Sequence, residues 1–175
     1  SDDRVNVNIG GTVRRGSYAT NGGNSTTLTK NGAGALVLSA VNSYSSEPYL
    51  NGGKLILSGS GSIANSAGLT ISDANAVFDI SGVTANNGTA ILQSLNGATG
   101  SVLLGDNTLQ VAAGDFGGVI SGNGALTKTE TGTLILRGNN TYTGATLVSG
   151  GILDLRGTLA YNSVVTVNSG ATLDI

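Results

Sequence analysis

Ten carboxylates, eight basic side chains and five tyrosines carry most of the reactive chemistry of this sequence, which has no Cys, His, Met or Trp. Asp154 and Asp174 lie one short repeat apart, each between two apolar residues of an alternating run, and Asp79 sits in a third such run. A carboxylate pair is the minimum for acid–base cleavage of a glycosidic bond. A single acid flanked by apolar neighbours is also what a strand shows when it turns one residue to solvent. No aromatic cluster accompanies these acids as a sugar platform, so the solvated role is expected. Arg137 and Arg156 follow the runs Leu134–Leu136 and Leu153–Leu155. An arginine there could serve as a base beside calcium-binding acids; the expected role is to offset Asp154 while its stem covers apolar surface. Asp106 and Asp115 flank a strand near Gly-rich turns, and calcium takes such hard oxygen ligands. No Gly-Gly-x-Gly-x-Asp repeat supports a calcium site. Tyr44 and Tyr142 are expected at equivalent corners, packed on corner glycines with their hydroxyls in water. Asp2-Asp3-Arg4 reads as a solvated terminus. Gly32-Ala33-Gly34 and Gly122-Asn123-Gly124 lack the spacing of phosphate loops and read as corners.

Several classes are excluded by what is missing. Without Cys and His there is no disulfide framework, thiolate nucleophile, zinc site or Ser-His-Asp triad within this sequence. Eight basic against ten acidic residues leave no electrostatic footprint for nucleic acid. No apolar run approaches the roughly 18 residues of a membrane helix. No catalytic residue, cofactor or metal is assigned, and any export leader is expected to lie outside these 175 residues or to be absent.

The elements that would position such residues follow from composition and repeat. Only 10% of residues are charged, against roughly 25% in ordinary domains. Gly, Asn, Ser and Thr take their place, with Leu, Val and Ile spread evenly. These are turn and strand residues rather than helix formers, so an all-β chain is expected. Leu28-Thr29-Lys30, Gly34, Leu36, Leu38, Asn42, Tyr44, Gly52, Gly53, Leu55 and Leu57 recur 98 positions later. Their counterparts are Leu126-Thr127-Lys128, Gly132, Leu134, Leu136, Asn140, Tyr142, Gly150, Gly151, Leu153 and Leu155, with Gly144 closing the second corner. Matching continues loosely, so the copies cover approximately 28–80 and 126–175. A finer step of 19 and 20 residues separates Leu134, Leu153 and Leu173, and the series Leu126, Leu147, Val165 keeps nearly the same step. One strand type returning once per turn predicts a single-stranded parallel β-helix of about 20 residues per turn, with strands stacked about 4.8 Å apart. Eight or nine turns are expected. Two strands per turn are evident, and residues 126–157 are expected to make two whole turns.

The combined motif closely resembles the passenger-associated transport repeat of autotransporters, the type V secreted proteins of Gram-negative bacteria. The first copy departs from the pattern at Ser45-Ser46-Glu47-Pro48-Tyr49. The resemblance implies a right-handed β-helical passenger, non-enzymatic, at the bacterial cell surface or secreted. It also implies an outer-membrane β-barrel translocator in the same precursor, and a role for the repeat in efficient passage to the surface. Residues 1–175 would then be one β-helix segment of a longer passenger. The alternative expectation is an adhesin or self-associating module, whose solenoid faces or ends meet a host surface or another copy. An unpaired strand ending at Ile175 leads to the same two options, an excised segment or a subunit that stacks on itself.

Overall fold

The computed structural model describes residues 4–8, 12–15, 27–42 and 44–175. Asp2 and Asp3, named above, and Ser43, between Asn42 and Tyr44 of the repeat, lie outside the described residues. In chain order the strands are β1 (Arg4–Asn8), β2 (Thr12–Arg15), β3 (Thr27–Asn31), β4 (Ala35–Leu38), β5 (Tyr49–Leu50) and β6 (Lys54–Gly59). They continue with β7 (Leu69–Ile71), β8 (Val77–Val83), β9 (Thr89–Asn96), β10 (Ser101–Leu103), β11 (Thr108–Phe116) and β12 (Val119–Ser121). The last are β13 (Ala125–Lys128), β14 (Thr133–Leu136), β15 (Thr146–Val148), β16 (Ile152–Leu155), β17 (Val165–Val167) and β18 (Thr172–Asp174). One short 3₁₀ turn, Ala85–Asn87, interrupts the path. Among the described residues every strand pairing is parallel.

The pairings define three faces of a β-solenoid. The first face stacks β1, β3, β5, β7, the C-terminal ends of β9 and β11, then β14, β16 and β18. The second stacks β2, β4, β6, β8, β10 and β12, and continues at the Asn139–Thr158 bridge. The third stacks the N-terminal parts of β9 and β11 with β13, β15 and β17. A third face is thus present beside the two strands per turn evident from the sequence. It is assembled partly from strands that bend across a corner, as β11 does at Gly114 (φ 134°).

Down the first face the ladder runs Thr29, Tyr49, Thr70, Asn96, Asp115, Ile135, Asp154, Asp174. Those seven turns are close to 20 residues each, except the one between Thr70 and Asn96, which takes 26. Its extra length forms the 3₁₀ turn, where Asn86 and Asn87 both hold positive φ (49° and 54°) before Gly88. β1 adds one step before Thr29, through Asn6, and the expanded turn takes about six residues more than its neighbours. It also shifts the repeat. The first copy begins on the first face, with Leu28 in β3, whereas the second begins on the third face, with Leu126 in β13. A spacing of 98 residues is therefore short of five turns by one face. Residues 126–157 are correspondingly not two whole turns. They start on the third face, go once around to it at Thr146, and continue through the first face to a corner beside the second; the two turns ending at Leu155 begin at Gly117.

Inward side chains fill a narrow continuous core. Leu36, Leu55, Phe78, Val102 and Ile120 form the column of the second face, all essentially without solvent exposure. Leu134 and Leu153 stack on the first face, and Leu109 and Leu126 on the third. Each fully buried Leu or Phe contributes about 1.5–3 kcal/mol, and the contribution is repeated at every turn.

Candidate functional site

The alternation Leu28-Thr29-Lys30 turns the leucine inward, the threonine outward and the lysine inward, and Leu126-Thr127-Lys128 does the same. Lys30 and Lys128 accordingly have no exposed surface. A buried ammonium must find acceptors, and each finds three backbone carbonyls. Lys30 Nζ donates to the carbonyls of Asn31 (2.8 Å), Gly32 (2.7 Å) and Gly52 (3.0 Å). Lys128 Nζ donates to those of Thr129, Glu130 (3.0 Å) and Gly150 (3.0 Å). Two acceptors in each set belong to the corner just after the lysine, and the third belongs to the next turn. Burial pushes both ammonium groups below the ordinary lysine value; at Lys128 the Glu130 charge opposes that shift.

The surrounding backbone is shaped to this contact. Gly32 and its counterpart Glu130 both adopt the left-handed region (φ 74° and 58°), turning the corner toward the ammonium. Gly53 and Gly151 share φ of 64° and 63°. A Cβ on Gly151 would lie 2.3 Å from the Gly132 carbonyl oxygen, 2.5 Å from that of Glu130 and 2.8 Å from Lys128 Nζ. The Gly-Gly pair of the repeat is therefore the lid of the lysine site. From sequence the lysines stand out only as repeat positions. Their inward place in a two-residue alternation is the available signal, and an interior charge runs against the usual expectation for lysine.

The other repeat residues are also structural. Asn140 is buried: its amide donates to the carbonyls of Gly138 (3.0 Å) and Thr158 (3.3 Å), and its Oδ1 accepts from Ile120 N–H (3.0 Å). It thus ties three successive turns. Asn42 repeats two of these bonds, to Ala40 (2.7 Å) and Ser62 (3.2 Å). Tyr44 and Tyr142 depart from expectation. Both are buried, because the corner tucks beneath its neighbours, and Tyr142 Oη bonds Thr146 Oγ1 at 2.6 Å. Burial pushes the Tyr142 phenol up to about 12. A phenol with a raised folded value stabilises the fold fully below its unfolded pKa of 10.0, and this contribution is lost as pH rises through about 12. Urea midpoints measured between pH 9 and 12 should fall more steeply for the wild type than for Tyr142→Phe, which is expected to cost about 1 kcal/mol at neutral pH.

The acids and arginines do not converge on a reaction centre. Asp154 stacks directly on Asp174, and Arg156 offsets Asp154 at 2.7 Å, as expected. Arg137 instead reaches back one turn, its Nε and Nη2 each 2.7 Å from an oxygen of Asp115. That hydrogen bond holds the Asp115 carboxyl below its ordinary value. Asp79 lies on the second face and accepts from Ser81 N–H and Oγ–H. Asp106 accepts from the Asn123 amide at 3.0 Å. Among the described residues no three His, Cys, Asp or Glu side chains cluster to hold a metal ion. An open groove of about 480 Å³ is lined by Asn96, Gly97, Ala98, Asp115, Gly117 and Arg137. Its polar groups are committed to one another and to Glu47, which accepts from the Asn96 amide at 2.8 Å.

Comparison with known proteins agrees with this geometry. The passenger-associated transport repeat matches residues 28–46 and 126–155, which take in the whole Lys128 site and the Lys30 site up to its first corner, short of Gly52 and Gly53. The adhesin BmaC autotransporter of Brucella suis biovar 1 (strain 1330) is 36% identical over 136 residues, covering 73% of this chain and 4% of the adhesin. An extracellular serine protease of Serratia marcescens is 57% identical over 51 residues, covering 29% of this chain and 5% of the protease. A second extracellular serine protease of that organism is 53% identical over 51 residues, with the same coverage. The chain thus spans no more than about a twentieth of the curated relatives it matches. No solved structure matches.

Proposed function

Starting from an autotransporter passenger segment that carries two passenger-associated transport repeats, we propose that it is a non-enzymatic stalk that supports its own passage to the bacterial surface. The observation that carries this reading is the inward orientation of the repeat. Lys30, Lys128, Asn42 and Asn140 are buried in contacts that tie turns, and Tyr44 and Tyr142 are buried as well, so what the motif specifies is stacking rather than a surface for substrate. A segment whose turns lock as they stack favours onward movement of the chain behind it. The translocator would be an outer-membrane β-barrel of the same precursor, and the segment would stand outside the cell, surface-exposed or released.

The match to the BmaC adhesin, which covers most of this chain, favours a second reading. Here the outward Thr, Asn and Ser ladders would contribute to attachment, to a host surface or to another copy. The serine protease matches are short, and without His this chain supplies no Ser-His-Asp triad itself.

Surface display of the precursor separates the two readings. Deleting 117–155 removes two turns and the second matched repeat in register; deleting 72–97 removes one turn outside both matched segments. If the first deletion lowers exposed passenger several-fold while the barrel still inserts, and the second does not, the export reading holds. Unchanged display with lost attachment or cell clumping transfers the function to the outward face.

A further inference from the structure

We infer that the Lys30 and Lys128 ammonium groups are locks between specific turns: each holds its own turn to the following one and makes that junction the slowest to reopen. This deepens the export reading and rests on it for its biological meaning. Three observations carry it. First, aliphatic residues fill almost all the inward positions around these sites, and burying an amine there costs free energy that a leucine would not. Aliphatic stacking is much the same at every junction, so it cannot make one junction differ from another. A charge-assisted contact to the carbonyl of Gly52 or Gly150, about one turn onward, does so. The buried asparagines also cross turns, but with neutral bonds.

Second, the backbone accepts strain for this contact. Glu130 is a non-glycine residue in the left-handed region (φ 58°), a conformation that persists where the surroundings enforce it. Its carbonyl is one of the three acceptors. Third, the same four-part arrangement is built twice on different faces of the solenoid: inward lysine, left-handed residue two positions on, carbonyl 22 residues on, crowded left-handed glycine after it. A device reproduced in two settings belongs to the motif rather than to one face.

The absence of cysteine provides the test. Lys128→Cys in this chain is alkylated while unfolded, with 2-bromoethylamine to restore an ammonium or with 1-bromopropane to leave a neutral side chain of the same length. Both are refolded, and unfolding rates and amide exchange are compared with the wild type. The aminoethyl form is expected to unfold within about threefold of the wild type. The propyl form should unfold roughly 10–100-fold faster, the range of one lost charged contact, with faster exchange concentrated at 149–152. Lys128→Met, produced without any unfolding step, should behave as the propyl form. Equal rates for the aminoethyl and propyl forms, or wild-type exchange in Lys128→Met, would overturn the lock, since volume alone would then suffice. In the precursor, Lys128→Met separates this inference from the export reading. If deleting 117–155 lowers display and Lys128→Met leaves it untouched, the lock is wrong and the export reading stands. If neither lowers display, the export reading fails, and the exchange result alone judges the lock.

Discussion

Removing residues 126–157 is expected to abolish the cooperative fold beyond Gly124, whereas removing 117–155 should leave a shorter solenoid that still unfolds in one transition. The smaller deletion does the greater damage because register, not length, decides. In the larger one, Phe116 meets Arg156. Phe116 stacks on Leu136, and Leu136 on Leu155, so Phe116 takes the ladder position Leu155 held. The bridge strand at Thr158 can then follow β10 on the second face, and β17 can fall on the N-terminal part of β11. In the smaller deletion, Ala125 opens a strand of the third face and joins Thr158, which belongs beside the second. The first face is skipped. Every later strand must then either slip by a third of a turn, which aims its aliphatic residues away from their column, or stay unpaired. Circular dichroism and limited proteolysis distinguish the outcomes. Equal protease resistance of the two variants would show that the faces are interchangeable and that the three-face register is wrong.

Gly151→Ala should be strongly damaging, lowering stability by at least about 3 kcal/mol. The left-handed backbone alone costs an alanine about 1 kcal/mol. Steric crowding costs more: the new Cβ would fall within 2.5 Å of two carbonyl oxygens and 2.8 Å of Lys128 Nζ, so either the corner moves or the ammonium loses its acceptors. Gly53→Ala repeats the test in the first copy, where the Cβ would lie 2.2 Å from the Gly34 oxygen. Gly170→Ala isolates the backbone cost, because Gly170 has φ of 82° but no atom within 4 Å of an added Cβ. Urea titration should show the first two far below the third. If all three lose the same small amount, the lid is more yielding than its geometry indicates.

Much of the fold was legible in the sequence because a solenoid writes its architecture as a short period. Leu134, Leu153 and Leu173 mark successive turns directly, since a stacked strand must present the same kind of side chain at the same place. The flanking acids were equally readable. Asp154 lies between two inward leucines, so it faces out, and it meets Arg156 there. Corners were not readable. Tyr44 and Tyr142 sit where the alternation breaks, and with no strand period to assign a side, a phenol at a corner can point either way.

The sequence by itself determined the parallel coil, its step of about 20 residues and the outward place of its acids, because each follows from local alternation and a fixed period; the identity of the repeat rests on the resemblance of its motif. Tertiary structure decided how the copies relate. Six extra residues between Thr70 and Asn96 displace the second repeat from the first face to the third, and a one-dimensional spacing of 98 carries no angular coordinate. It also decided what the lysines do. Their three acceptors are backbone carbonyls, one of them about a turn away. Every residue has such a carbonyl, so only the folding of one turn onto the next brings the right three together.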